Sequence, residues 1–295
     1  MSSPGRGKPN PWTTSRVLTL TTAAYVLWSL APVAIAITFS FNDGRSRSAW
    51  QGFSTRWYVG TQEAAESVIF DPSLRSALTQ SIKLAVLTML VATPIGVALA
   101  IGLARWRGRL AKPSNFLMLF PLVTPEIVMG VALFLVFHNL YGFVPFGTWA
   151  QFLGHVTFSI SFVVIIVRGR LFAIGRDYEE AAMDLGATPF EAMRRVLLPL
   201  LSPAILASFA IVFALSIDDF VISQFLSSGA SSITIPVRLY AGARLAPPPS
   251  LNALATVLML TTILSIVLAG LAYRVWKKRS GGDESTIESL ASFEV

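Results

Sequence analysis

The sequence predicts an all-α membrane protein with six transmembrane helices and a cytoplasmic helix-turn-helix loop between the fourth and fifth helices. Three observations support this fold class. Of the 295 residues, 54% are hydrophobic and only 13% are charged, whereas soluble domains carry about 25% charged residues. Six apolar runs are long enough to cross a bilayer. The segments that connect them alternate between many and few basic residues, as the loops of a multi-pass protein do.

The six predicted spans follow from the lengths of the apolar runs. A helix needs about 20 largely apolar residues to cross the hydrocarbon core of a bilayer, which is about 30 Å thick. Runs of this kind recur along the whole chain. The predicted spans are Val17–Phe41, Leu84–Ala104, Phe116–Phe137, about Gly147–Val167, about Leu200–Phe225 and Leu254–Val275.

Basic residues indicate the orientation of these spans. Of the 23 Lys and Arg residues, 16 fall in the N-terminal tail, the second-to-third connection, the fourth-to-fifth connection and the C-terminal flank. Cytoplasmic loops carry an excess of Lys and Arg, so both termini are predicted to lie in the cytoplasm. This topology also explains the net charge of +7 without a nucleic-acid partner.

Four regions are expected along the chain. A cytoplasmic tail covers 1–16, the first helix with an outer loop covers 17–75, and a core with five helices covers 76–278. The last region, 279–295, is polar, acidic and led by glycine, and it is predicted to be disordered. The outer loop, 42–75, is rich in aromatic residues, which favours either a folded cap or a segment at the membrane interface.

The most informative segment is the fourth-to-fifth connection. Asp177 and Glu180 have the spacing of a helix N-cap and its partner three residues later. The residues that follow are good helix formers. Gly186 then supplies a stop, because glycine tolerates the left-handed backbone that ends many helices.

A second helix begins directly after this stop. Thr188 is a predicted N-cap, Pro189 suits the first helical position, and Glu191 is placed to complete a capping box. The segment therefore encodes two short helices joined by a tight turn. Two alternatives remain open from these residues: the loop docks onto a soluble partner, or it lies on the membrane surface as an amphipathic hairpin.

This loop resembles the signature loop of binding-protein-dependent ABC importer permeases. The family pattern is E-A-A, three residues, G, nine residues, then I-x-L-P. The sequence reads Glu180-Ala181-Ala182, Gly186 and Val196-Leu197-Leu198-Pro199, with valine for isoleucine as the one departure. The resemblance spans about Leu74 to Lys278 and implies the type I ABC importer permease fold. It implies that the ATPase-coupling residues are Glu180, Ala181, Ala182, Gly186, Leu198 and Pro199.

The same resemblance implies a set of partners in a bacterial inner or plasma membrane. These are a second, similar permease subunit, two ATP-binding cassette subunits and an extracytoplasmic substrate-binding protein. The sequence itself contains no phosphate-binding G-x-x-x-x-G-K-[ST] motif. We therefore expect the chain to be no enzyme and to need no cofactor, with ATP bound and hydrolysed by the partner ATPase.

Three carboxylates lie within predicted spans, where ionisable groups are costly and often mark a substrate route. Glu126 is about 15 Å along the third span at 1.5 Å per residue, near mid-membrane. Asp218 and Asp219 lie in the outer part of the fifth span. Together the three favour a cationic substrate. The alternative, that they form structural hydrogen bonds across helices, stays open.

Further residues resemble the spermidine/putrescine branch of this family. They are the segments around Asp218 and Asp219, with 231–237, 252–256 and the outer residues 40–42, 52–54 and 57–58. This resemblance implies polyamine import. The alternatives are the same architecture importing another cation or small solute, such as ferric iron, thiamine or an opine, or a stand-alone secondary transporter. The last class usually has more spans and inverted repeats.

Metal and thiol chemistry find little support in the sequence. There is no cysteine, which excludes disulfides and thiolate sites. His138 and His155 have no acidic neighbour at the spacing of a metal site. Both histidines are therefore predicted to play structural roles near a helix end or an interface.

Overall fold

The computed structural model describes residues 16–46, 49–60, 67–105, 108, 111–244 and 249–280. Within these ranges the chain is helical between its connecting turns, and the only β pairing is an isolated bridge between Asn42 and Phe53. Short π-helical and 3₁₀ turns occur at Met193–Leu197 and Ala230–Ser232. The α-helices are α1 (Arg16–Ser40), α2 (Pro72–Arg105), α3 (Ala111–Val123), α4 (Glu126–Asn139), α5 (Thr148–Ile174), α6 (Asp177–Asp184), α7 (Pro189–Ala192), α8 (Leu198–Asp218), α9 (Val221–Leu226), α10 (Ile235–Arg244) and α11 (Pro249–Ser280).

The helical membrane fold predicted from the sequence is confirmed. Five helical segments are long and apolar enough to cross a bilayer: α1, α2, α5, the stretch Pro189–Asp218 and α11. A sixth apolar segment is formed by α3 and α4 together, which are joined by a sharp bend. The described part of the chain thus contains up to six spans, in the predicted order.

The third span is not the continuous helix Phe116–Phe137 that the sequence analysis predicts. The helix ends at Val123, restarts at Glu126 and bends by 110° between the two parts. Proline disfavours a helical backbone in the residue before it, here Thr124, and it lacks the N–H that would continue the helix. Pro125 itself is extended, with φ −54° and ψ 134°.

The fifth span also departs from the prediction of Leu200–Phe225. The helix α8 ends at Asp218, Asp219 adopts an extended backbone with ψ 122°, and the short helix α9 follows. At the other end the helix begins earlier than predicted, because α7, the π-helical turn and α8 form one continuous segment.

Two further helices also begin earlier than their apolar runs. The helix α2 starts at Pro72 rather than Leu84, because the Asp71 carboxylate accepts hydrogen bonds from the N–H groups of Ser73 (2.7 Å) and Leu74 (3.2 Å). Its start therefore precedes residue 76, where the core region was predicted to begin. The last helix starts at Pro249.

The interior lies where α2, α5 and α8 pack together. Small residues let these helices approach closely. A Cβ added at Gly96 of α2 would lie 2.5 Å from the Cβ of Val163 on α5. Fully buried apolar side chains fill the contact, including Ala92, Val163, Leu201 and Val212.

The described part of the outer connection is folded against this core. Trp57 is 1% exposed and donates its indole N–H to the carbonyl of Asn42 at 2.5 Å. The Ser40 and Tyr58 hydroxyls are 2.6 Å apart. These contacts bear out the folded-cap alternative for this part of the loop. The tails were predicted as 1–16 and 279–295, but Arg16 belongs to α1 and residues 279–280 belong to α11. The rest of both tails, 1–15 and 281–295, lies outside the described residues.

Candidate coupling loop and substrate cleft

The first helix of the predicted coupling loop is α6. Its N-cap is Arg176, which makes no side-chain cap, so the prediction that Asp177 is the N-cap is wrong. Asp177, Glu179 and Glu180 instead occupy the first turn. Negative charge is favourable there, because the N-terminus of a helix carries the positive end of its dipole.

The turn after α6 requires glycine. Gly186 has φ +92°, which side chains other than that of glycine rarely adopt. Its N–H donates to the carbonyl of Met183 (2.9 Å), and the N–H of Ala187 donates to that of Ala182 (3.0 Å). This pair of bonds is a Schellman motif. The predicted glycine stop is therefore confirmed.

The capping box of the second helix is also confirmed. The Glu191 N–H donates to the Thr188 hydroxyl at 3.3 Å, and the Glu191 carboxylate accepts from the Thr188 N–H at 3.0 Å. From Pro189 the helix continues without a break to Asp218, which is 30 residues. At about 1.5 Å per residue this is a rod of about 45 Å. The loop is thus joined directly to one end of the cleft described below.

The tip of the loop presents apolar side chains to its surroundings. Leu185 is 90% exposed and Phe190 is 64% exposed. Of the predicted coupling residues, Glu180, Ala181, Gly186 and Pro199 are exposed, and Ala182 and Leu198 are half-buried. Large apolar residues exposed together are typical of an interaction surface.

A contact that the sequence analysis missed ties this loop to α2. Glu179 is buried, and its carboxylate pairs with the guanidinium of Arg105, the last residue of α2. The partners are 74 residues apart, so no local pattern reveals them. The sequence motif draws attention to Glu180, but Glu179 is the acidic residue that holds α6 in place.

The three predicted pathway carboxylates lie on one cleft. This cleft has a volume of about 950 Å³ and is lined by residues of α1, α4, α5, α8, α9 and α11, with Phe220. Glu126, Asp218 and Asp219 all line it. Phe158 and Phe220 add aromatic rings, and such rings attract cations. The arrangement offers negative charge and aromatic faces to a ligand of positive charge.

Glu126 reaches the cleft because of the bend between α3 and α4. It is the first residue of α4 and is exposed. In a straight, continuous helix Glu126 would lie in the middle of the span. The bend instead places its carboxylate at a helix N-terminus, where the dipole favours negative charge.

Asp218 and Asp219 have different surroundings although they are neighbours. Asp218 is exposed to the cleft. The Asp219 side chain is only 12% exposed and accepts hydrogen bonds from the N–H groups of Ser223 (2.8 Å) and Ile222 (3.4 Å). The cross-helix alternative left open by the sequence therefore describes Asp219 better than Asp218.

His155 is the main residue of this site that sequence reasoning missed. It is 2% exposed in the interior of α5, and its Nε2 lies 3.2 Å from the Asp219 carboxylate. Its acidic partner is distant in sequence, so no residue spacing reveals the pair. His138 lies in the last turn of α4 and stacks on Phe134, as expected for a structural residue. Among the described residues no group of acidic residues and histidines could hold a metal ion.

Comparison with known proteins places these features in a family. The spermidine/putrescine transport system permease protein PotC of Shigella flexneri is 37% identical over 253 residues, which are 85% of this chain and 92% of that protein. The putrescine transport system permease protein PotI of Escherichia coli K12 is 34% identical over 234 residues, 78% of this chain and 80% of that protein.

Solved structures agree on the fold. A chain of a bacterial alginate ABC transporter, in complex with an alginate pentasaccharide-bound periplasmic protein, superposes with a TM-score of 0.70. It is 15% identical and covers 88% of this chain and 94% of its own length. The family model for the binding-protein-dependent transport system inner membrane component matches residues 92–280. The chain therefore belongs to the family of inner membrane components of binding-protein-dependent transport systems.

Proposed function

We propose that this chain is the permease subunit of an ATP-driven importer of polyamines, with spermidine and putrescine as its substrates. The observation that carries the proposal is the placement of Glu126, Asp218 and Asp219 on one cleft of a membrane-spanning chain. A polyamine carries several positive charges, and carboxylates in a low-dielectric route attract them by Coulomb forces. The names of the relatives PotC and PotI support the same substrate class.

The assembly we propose contains four kinds of subunit. This chain and a second, similar permease form the pathway, two ATP-binding cassette subunits dock on the cytoplasmic side, and an extracytoplasmic binding protein delivers the substrate. The exposed apolar tip of the coupling loop at Leu185 and Phe190 supports a docked partner. Both termini lie in the cytoplasm in this arrangement, on the side that carries most basic residues.

Coupling would use the continuous helix from Pro189 to Asp218. ATP binding closes the ATPase subunits and draws the coupling loops together, which turns the pathway outward to receive substrate. Hydrolysis resets it inward. Because one end of the rod carries the loop and the other end carries Asp218, a tilt of the rod moves the cleft and the docking surface together. The Arg105–Glu179 pair adds a second connection, from α6 to α2.

Uptake by the reconstituted complex tests this proposal. The complex, with its partner permease, ATPase and binding protein, is placed in liposomes with ATP inside and radiolabelled spermidine or putrescine outside. We expect ATP-dependent accumulation that unlabelled polyamine suppresses and that thiamine, ferric iron and opines do not. Liposomes without ATP are the control. Failure to accumulate either polyamine, with ATP-dependent uptake of a different solute, would end the polyamine assignment.

A further inference from the structure

The break between α8 and α9 is held by the side chain of Asp219. The first N–H groups of a helix have no partner within it. In α9 two of these groups, from Ile222 and Ser223, donate to the Asp219 carboxylate. The backbone at Asp219 is extended and the helix restarts two residues later. The N-cap residue of α9 is Phe220, which makes no side-chain cap, so the Asp219 carboxylate caps the helix from one residue before it.

His155 holds this cap from the opposite helix. Its Nε2 lies 3.2 Å from the Asp219 carboxylate and 3.1 Å from the Ser223 hydroxyl. Its Nδ1 lies 2.8 Å from the hydroxyl of Ser216 on α8. Nε2 contacts both groups, and because an ionised carboxylate only accepts hydrogen bonds, a hydrogen on Nε2 is attracted to Asp219. One buried ring therefore contacts the end of α8, the residue at the break and the start of α9.

Gln151 lies one turn before His155 on the same face of α5 and also holds α9 in position. It is fully buried, and its Nε2 donates to the carbonyls of Ser223 and Ser232, both at 2.9 Å. Gly154 between them lets α9 approach, because a Cβ there would lie 2.8 Å from Ile222. The position of α9, and with it the direction of the break, is fixed from α5.

The two neighbouring aspartates have different roles in this arrangement. Asp219 has three donors around it and little exposed surface, so it has little capacity left for a ligand. Asp218, the last residue of α8, is exposed to the cleft. We propose that His155 is a positioning residue that anchors Asp219 and thereby aims Asp218 as the carboxylate that meets the transported cation. The inference rests on the proposed function, because it assumes that the cleft carries a cation.

Labelling of an introduced thiol tests the position of residue 218 without reference to transport. The chain has no cysteine, so Asp218→Cys supplies a unique thiol. A positively charged methanethiosulfonate reagent is applied to the assembled complex, and the labelling rate is measured. We expect His155→Ala to change this rate by about tenfold, the factor expected when one hydrogen bond to a charged group is lost. Ile217→Cys, at a residue that is 1% exposed, gives the buried reference.

Two conservative variants separate positioning from general packing. In His155→Gln the amide lies near the place of Nε2 and can still donate to Asp219. In His155→Asn it lies near the place of Nδ1, so it can reach Ser216 but not Asp219. We expect Gln to keep the labelling rate and the KM for spermidine uptake near those of the unsubstituted chain, and Asn to shift both like Ala. If the His155→Ala complex does not assemble, these two variants still test the positioning role of His155.

The outcomes distinguish this inference from the proposed function. Equal labelling rates for the Gln and Asn variants, or a rate unchanged by His155→Ala, would overturn the positioning role. Protection of Asp218→Cys by spermidine supports the assignment of Asp218, and reagent access that neither spermidine nor any other transported solute changes refutes it. If a different solute protects and polyamines do not, the polyamine function fails while the role of His155 stands.

Discussion

Gly186 is the residue at which one substitution should separate helix insertion from ATPase docking. It has φ +92°, and an added Cβ would meet no atom within 4 Å, so the penalty for a side chain comes from the backbone alone. A residue with a Cβ in a left-handed conformation costs about 1–2 kcal/mol. Since 1.4 kcal/mol is about tenfold in an equilibrium constant, Gly186→Ala should lower the population of the docking-competent turn about 5- to 30-fold.

Gly186→Pro adds two further effects. Proline fixes φ near −65° and cannot reach the observed value. It also removes the N–H that donates to Met183 at 2.9 Å, worth about 1 kcal/mol. The turn must then rearrange, and we expect the ATPase to be lost from the complex while the transmembrane helices remain inserted. Gly186→Asn should lie between glycine and alanine, because asparagine tolerates this conformation.

The assay is the affinity of the purified permease pair for its ATPase, measured by titrating the ATPase and quantifying the bound fraction. Gly169→Ala is the matched control, since this glycine is helical in α5 and an added Cβ there also meets no atom within 4 Å. Alanine is favoured over glycine in a helix by about 0.5–1 kcal/mol, so this variant should bind normally. Normal ATPase co-purification with Gly186→Pro would refute the reasoning.

Three other substitutions probe the cleft, the α6 tether and the helix contact. Asp219→Asn should lower polyamine uptake roughly tenfold with little loss of assembled complex, because a weaker acceptor loosens the contacts that position Asp218. Unchanged uptake kinetics would count against this positioning role. Arg105→Ala should lower the free energy of unfolding by about 1–2 kcal/mol, a value between those for exposed and buried ion pairs. In a double-mutant cycle followed by melting temperature, Arg105→Ala combined with Glu179→Ala should lower the melting temperature by less than the sum of the two single effects. Additive shifts would argue against the pair. Gly154→Ala should lower the free energy of unfolding by about 1–3 kcal/mol, because the added Cβ is overpacked against α9. Gly102→Ala is the control, since an added Cβ there meets open space. Equal melting temperatures for the two variants would contradict the close contact at Gly154.

Much of the fold could be predicted because it depends on short stretches of sequence. The apolar runs determine which segments are long enough to cross a bilayer. The Thr188 capping box and the turn at Gly186 involve residues no more than five apart, so their hydrogen bonds can be read from spacing alone. Both were found where they were predicted.

Two helix boundaries that hydropathy predicts wrongly are nevertheless marked by neighbouring residues in the sequence. The bend before Glu126 follows from Pro125, whose effect on Thr124 is a property of the dipeptide. The early start of α2 follows from Asp71 and Pro72, an N-cap followed by proline at the first helical position. Hydropathy marks only the part of a helix that suits lipid, and it says little about where the helix itself begins or ends.

The sequence by itself determined the class of protein, the order of its spans and the two short helices of the predicted coupling loop with their glycine turn. Only the tertiary structure decided how the charged residues are used. Asp218 and Asp219 are indistinguishable as neighbours in a sequence, and they differ because α5 brings His155 to one of them. Likewise, Glu179 rather than Glu180 is buried because α2 ends with Arg105 beside it. The cost of a buried charge depends on which group faces it, and helices distant in sequence supply that group.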